Sequence, residues 1–301
     1  MILDLIDRHR LSVVSPRQTY TDKLLGKLRT YLEEPLPNGM NDEKVWMLLF
    51  IYGFVADSRD DQVVLARRLT DSQCCMGPTT AWLEMLPMPA RQGRSGLSES
   101  NTEVDLVAGD CDRRGQTISG IQYKPSSGRE GWVCFVEAKW LCDLDCQTEH
   151  DFQRNQMSRV IETALTFQGP STTGSSWPDN VHFTLLTPEK LRPANPYGGG
   201  TRLYHYKFHE YRQHPDALLH DIRSAIIPQR PNEDGWSYPD LTERIGRLSM
   251  HWVTFEEILE VMPDTAYKRA LIEFINGKPS HLLERVATDD HPTVQHTTEV
   301  L

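Results

Sequence analysis

Apolar and polar positions alternate in two different rhythms along this chain. Over residues 1–90 apolar side chains recur at helical spacing, which predicts helices near 20–33, 43–55, 61–70 and 78–86. The stretch 45–55 is the longest apolar run, broken by Tyr52 and Gly53, and reads as a core helix. It falls well short of the ~20 apolar residues of a membrane span. The rhythm then changes. Two short apolar runs, 102–108 and 131–139, read as strands, with Gly115, Gly120, Gly128, Gly131 and Pro125 between them as turn punctuation. Helical spacing returns over about 149–167, where Met157, Val160, Ile161, Ala164 and Leu165 form one stripe.

Further strands are predicted at 181–187 and 201–208, and a helix at 214–227. The segment 250–259 reads as a strand entering a helix with Thr254 as N-cap, and a helix at 264–276 ends at Gly277. The tail 287–301 is polar and reads as disordered. No internal repeat is visible. The expected organisation is a helical N-terminal region (1–78) packed on a core (79–286). The expected fold class is α/β, a mixed central sheet flanked by helices with a helical N-terminal extension.

The candidate chemistry sits on the first two strands. Asp105 leaves one and Glu137-Ala138-Lys139 leaves the other, 32 residues later. Side chains alternate faces along a strand, so Glu137 and Lys139 project together and Ala138 points away. Two carboxylates and an ammonium can then converge, the minimum set for holding a hard divalent cation against a phosphate. The competing reading is a surface or sheet-edge ion pair, which is common and contributes little. Val133, Phe135 and Val136 argue against it, because charges at the end of a buried strand are rare unless paired or metal-bound. On the following helix, Gln153 and Gln156 extend the buried stripe backwards by one turn. Either this helix end meets solvent, or Gln156 reaches the acidic pair.

Asp105, Glu137 and Lys139 together with the glutamine helix resemble the PD-(D/E)xK nuclease superfamily, the restriction-endonuclease-like fold. The proline of the motif is replaced by Val104. The resemblance covers roughly residues 80–190. It implies Asp105, Glu137, Lys139 and Gln156 as catalytic residues. It implies Mg²⁺, with Mn²⁺ as a substitute, held by Asp105, Glu137 and the carbonyl of Ala138. Glu84, by position on a predicted helix before the first strand, is a further ligand; a solvated helix glutamate is the alternative, and Glu103 is a rival for the same place.

Composition adds looser bounds. A hydrophobic fraction of 39% and a charged fraction of 25% are those of a globular protein. Met1-Ile-Leu-Asp-Leu-Ile lacks the basic start and cleavage site of a signal peptide, so a cytoplasmic location is expected. Of the six cysteines, only Cys142 and Cys146 approach metal-ligand spacing, and reduced thiols are the simpler reading. The net charge of −10 is unusual for a nucleic-acid enzyme, but average charge is a poor guide to a local surface. Arg202, Lys207 and Arg212 interleave with aromatic residues and are candidates for phosphate contact, with Arg91, Arg94, Arg154 and Arg159 as others. The expected function is a metal-dependent nuclease acting on nucleic acid, with DNA as partner and a homodimer or partner protein left open. The alternatives are a catalytically inactive nuclease-fold subunit that binds nucleic acid or assembles with others, and an unrelated α/β protein.

Overall fold

The computed structural model of the chain describes residues 2–56, 62–72, 80–92, 102–144, 154–169, 176–194, 201–232, 235–283 and 285–286. After a single 3-10 turn come helices α1 (Arg8–Val14), α2 (Gln18–Glu33), α3 (Glu43–Tyr52) and α4 (Gln62–Thr70). Strands β1 (Thr80–Pro87), β2 (Val104–Gly109), β3 (Cys111–Arg113), β4 (Gly120–Tyr123) and β5 (Trp132–Ala138) follow. Then come α5 (Gln156–Leu165), β6 (Asn180–Thr187), α6 (Leu203–Gln213), α7 (Pro215–Arg223) and α8 (Leu241–Arg244). The described chain closes with β7 (Leu248–Thr254), α9 (Phe255–Val261) and α10 (Ala266–Asn276).

These strands form one seven-stranded mixed sheet in the order β3-β4-β1-β2-β5-β6-β7. Strands β1, β2 and β5 run antiparallel in turn, while β5, β6 and β7 run parallel. Helices cover both faces. On β5, Trp132, Cys134, Val136 and Ala138 pack into one core with α1–α4, α9 and α10. Val133 and Phe135 pack into the other, with α5–α8. Every position of β5 is therefore buried, as expected where helices cover a sheet on two sides. The α5 stripe Met157, Val160, Ile161, Ala164 and Leu165 is wholly buried, each large apolar member contributing roughly 1.5–3 kcal/mol. No helix among the described residues is long and apolar enough to cross a membrane.

Two predicted elements are of the wrong type. The segment read as a helix at 78–86 is strand β1, paired on both edges by β2 and β4. An apolar run of eight residues carries no decisive period, and tertiary pairing settles it. The segment read as a strand at 201–208 is helix α6. Its apolar positions fit both rhythms, but the buried ones are Tyr204, Phe208 and Tyr211, the i, i+4, i+7 stripe, while Tyr206 is 54% exposed. The turn-rich stretch between the motif strands holds the short hairpin β3–β4. Elsewhere the expectations hold closely. Thr254 caps α9 in a reciprocal capping box with Glu257, and Gly277 follows the last residue of α10. The tail 287–301 lies outside the described residues.

Candidate active site

Asp105 near the start of β2 and Glu137 near the end of β5 lie at the same end of the sheet, because the two strands are antiparallel. The backbone N–H of Ala138 donates to Asp105 Oδ2 at 2.8 Å, which ties the two motifs together. Glu137 faces the α5 side, opposite to its neighbours Val136 and Ala138. There Lys139 Nζ donates to Glu137 Oε1 at 2.7 Å and to Gln156 Oε1 at 3.0 Å. Gln156 is the first residue of α5, started by Asn155, whose side chain accepts from Ser158 N–H. Gln153 lies outside the described residues.

The ion pair is neither on the surface nor at an edge. Glu137, on a central strand, is 1% exposed and Lys139, just past the end of that strand, 4%. Desolvating two charges this far is costly unless their partners are close and complete.

Strand β1 approaches from the other side of β2. Its register, set by Leu83 against Leu106 and Met85 against Val104, places Glu84 across from Asp105. Glu84 has φ +54°, a left-handed conformation that a non-glycine residue holds at a cost of about 1 kcal/mol or more. It breaks the strand's alternation: Leu83 packs with the N-terminal helices and Met85 with the opposite core. The N-terminal helices hold the distortion. Arg17 Nη1 donates to the Glu84 carbonyl at 2.8 Å, and Lys44 Nζ reaches Glu84 Oε2 at 2.8 Å. Arg17 also pairs with Glu103, whose carboxylate lies 3.5 Å from Lys44. Glu84 therefore joins the cluster from a strained strand position, not from the helix expected of it. Glu103 is its hydrogen-bonded neighbour.

A residue that the sequence pattern did not single out completes the group. Glu43, the first residue of α3, accepts from the backbone N–H of Trp140 and acts electrostatically on Lys139 and Glu137. The indole of Trp140 stacks on Trp46 of α3 at 5.0 Å, which docks the helix start against the chain leaving β5. A signal was present. A helix apolar on every side must be buried, so charges in its first turn are carried into the interior with it.

The electrostatics follow from crowding. Burial, then Glu137, Glu43 and Glu84, push the Asp105 carboxyl well above its ordinary range. Burial also raises Glu43, and pushes Glu84 up to about 7, helped by its bond to Glu103 and opposed by Lys44. For Lys139, burial favours the neutral amine, but Glu137, Asp105 and Glu43 outweigh it and the net shift is upward. Lys139 is therefore held as an ammonium.

Among the described residues no set of three or more His, Cys, Asp or Glu side chains is arranged as a metal-ligand group. Mg²⁺ needs less: one or two carboxylates, with waters and substrate phosphate completing the octahedron. Asp105 uses Oδ2 and Glu137 uses Oε1 in the bonds above. Their second oxygens, in a buried surplus of carboxylates, fit that requirement. Comparison with known proteins adds no relative: no family model matches the chain, and no curated protein or solved structure matches it.

Three of the basic residues expected to meet nucleic acid are committed to ion pairs. Arg91 and Arg154 are buried and both pair with Glu162, Arg91 Nε at 2.9 Å, so neither lines a groove. Lys207 bridges Glu210 and Asp221 at 2.8 Å each. Arg159 is half-buried on α5, and Arg212 is exposed at the end of α6. Arg202 donates to the carbonyl of Leu141, two residues beyond Lys139, at 2.8 Å. Arg94 lies outside the described residues, as do Cys74, Cys75 and Cys146. Cys111 and Cys134 are buried thiols and Cys142 is an exposed one.

Proposed function

We propose that this chain is a metal-dependent nuclease of the PD-(D/E)xK type, hydrolysing phosphodiester bonds in nucleic acid, with DNA the expected substrate. The observation that carries the reading is the buried convergence of Asp105, Glu137, Lys139 and Gln156 at one end of a mixed, helix-flanked sheet. A structural ion pair has no use for the additional carboxylates of Glu43 and Glu84 beside it, which raise its cost.

Asp105 and Glu137, with the carbonyl of Ala138, would hold Mg²⁺. Bound there, the ion supplies Lewis-acid polarisation of the phosphoryl oxygen and a more acidic water. The protein's own groups do the rest. Lys139 stays protonated, so its role is to stabilise charge on the attacked phosphate, not to take a proton. Two of its three N–H donors go to Glu137 and Gln156, which leaves the third for a phosphate oxygen. Gln156 fixes the ammonium in place. Glu43, with its raised pKa, is suited to accept the proton of the attacking water. Incubating supercoiled plasmid with the protein in Mg²⁺, in Mn²⁺ and in chelator tests the reading. Nicking in either metal, absent in chelator and in Glu137→Gln, is expected; intact plasmid and intact linear DNA under all conditions reject it.

A further inference from the structure

A cleft of about 900 Å³ opens at the same end of the sheet as the acidic cluster. Its place follows from the topology. Leu141 lies in its wall, two residues beyond Lys139, and Asn41 lies in it two residues before Glu43. Lys190 enters from the 3-10 turn Glu189–Leu191 that follows β6, the strand whose Leu186 pairs with Ala138. Lys278 and His281 come from the segment after α10, and Arg285 from further along it.

The charge of this cleft contrasts with that of the chain. The whole protein carries −10, yet among the described residues lining the cleft there are two lysines, one arginine and one histidine, and no Asp or Glu. Lys190, Lys278, His281 and Arg285 are all exposed. Lys190 Nζ donates to the carbonyl of His281 at 2.8 Å, which fixes the two walls to each other while leaving the ammonium its charge. Lys278 sits at φ +63° immediately past α10, a left-handed turn that ends the helix. Asn41 Oδ1 is buried and has no hydrogen-bond partner among the described residues. Leu141 and Leu283 supply apolar wall for the sugar and base faces.

A metal site built of carboxylates repels phosphate unless cations beside it offset that field. Arg91, Arg154 and Lys207 cannot offset it, since they are consumed in ion pairs. We propose that the Lys190–Lys278–Arg285 cleft is the track for the phosphodiester backbone of a nucleic-acid strand leading to the Asp105–Glu137 site. The proposal rests on the nuclease reading for the direction of that strand, though strand binding itself can be measured without cleavage.

The variant to make is Lys278→Gln/Arg285→Gln. Both side chains are exposed, and neither belongs to the acidic cluster. Binding is read by fluorescence anisotropy with a labelled DNA oligonucleotide and, separately, an RNA oligonucleotide of the same sequence, in Ca²⁺, across about 50–200 mM salt. For at least one of the two strands, the double variant is expected to bind about tenfold or more weakly at low salt. The slope of log affinity against log salt should fall by about two, one for each phosphate that is no longer neutralised. The strand whose binding weakens identifies the substrate class. Mn²⁺ affinity, read by calorimetry, should be unchanged, and Lys278→Arg/Arg285→Lys should restore binding. Unchanged affinity and slope for both strands overturn the proposal, while plasmid cleavage by the wild type would leave the nuclease reading intact. Conversely, a wild type that binds through these residues but cleaves neither strand overturns the nuclease reading and leaves the cleft assignment standing.

Discussion

The backbone N–H of Ala138 donates to Asp105 Oδ2 at 2.8 Å, and this one bond joins the strand carrying the aspartate to the strand carrying Glu137 and Lys139. It orients one carboxylate oxygen into the sheet and leaves the other for the acidic cluster. Around it the protein has gathered carboxylates that repel one another, a burden on the fold that a bound cation would relieve.

That burden is measurable. The folded-state pKa of Asp105 lies above its unfolded value, so the folded protein loses stability relative to the unfolded chain as pH rises past the ordinary aspartate range of about 3.9. Asp105→Asn removes that cost and keeps an oxygen for the Ala138 N–H. In metal-free buffer at pH 8 the substitution is expected to raise Tm by about 2–4 °C. It should also abolish Mn²⁺ binding. Calorimetric melting and titration check both, and a lower Tm would show that the carboxylate stabilises the apo fold.

Glu43 was invisible as a site residue in the sequence, so its role is a separate test. As the group that accepts the proton of the attacking water, it should contribute about 10²–10⁴-fold to the rate. Glu43→Gln keeps the acceptor for Trp140 N–H and is expected to slow cleavage by about a hundredfold or more at neutral pH, with Mn²⁺ affinity nearly unchanged. The deficit should shrink when the pH is raised, because hydroxide then needs no base. A pH-independent deficit would assign Glu43 to packing.

A pair of histidines sits at the opposite end of the sheet. His182 Nδ1 and His251 Nε2 lie 3.1 Å apart, and burial, with His251 adding to it, pushes His182 down to about 4. The folded pKa is below the unfolded value of about 6.5. The stability contribution is therefore complete above pH 6.5 and is lost as pH falls towards 4, while the unfolded chain takes up a proton that the folded chain refuses. At about 1.4 kcal/mol per unit, the loss is at most roughly 3 kcal/mol. The difference between wild-type and His182→Gln stability, followed by denaturant unfolding between pH 7 and pH 4.5, should narrow or reverse. A constant difference would show that the pair titrates normally.

How much of this was legible in the sequence depended on whether a residue's place is set locally. The α5 stripe, the Thr254 cap and the strand positions of Asp105 and Glu137 follow from period and turn chemistry, and the structure has them there. Gln156 was placed by helix phase and lies 3.0 Å from Lys139. The apolar neighbours of Glu84 fit a helix, and only pairing with β2 and β4 makes it a strand residue. Its left-handed backbone depends on Arg17 and Lys44, far away in sequence. Arg91 and Arg154 differ from expectation for the same reason. Whether an arginine faces solvent or Glu162 is decided by tertiary packing, so Arg91 and Arg154 looked available and are not. Lys278 and Arg285 carry no local signal, because the cleft they line is assembled from segments distant in the chain.

In the proposed reaction Lys139 acts on the phosphate and does not merely neutralise Glu137. The most direct measurement is the single-turnover cleavage rate of labelled DNA by wild type and Lys139→Ala, each saturated with Mn²⁺, alongside calorimetric Mn²⁺ titration of both. The expected rate for Lys139→Ala is lower by about 10²–10³-fold, the cost of removing one preorganised donor to the developing charge, with Mn²⁺ affinity within about a factor of ten. Equal cleavage rates in the two metal-loaded proteins would contradict it.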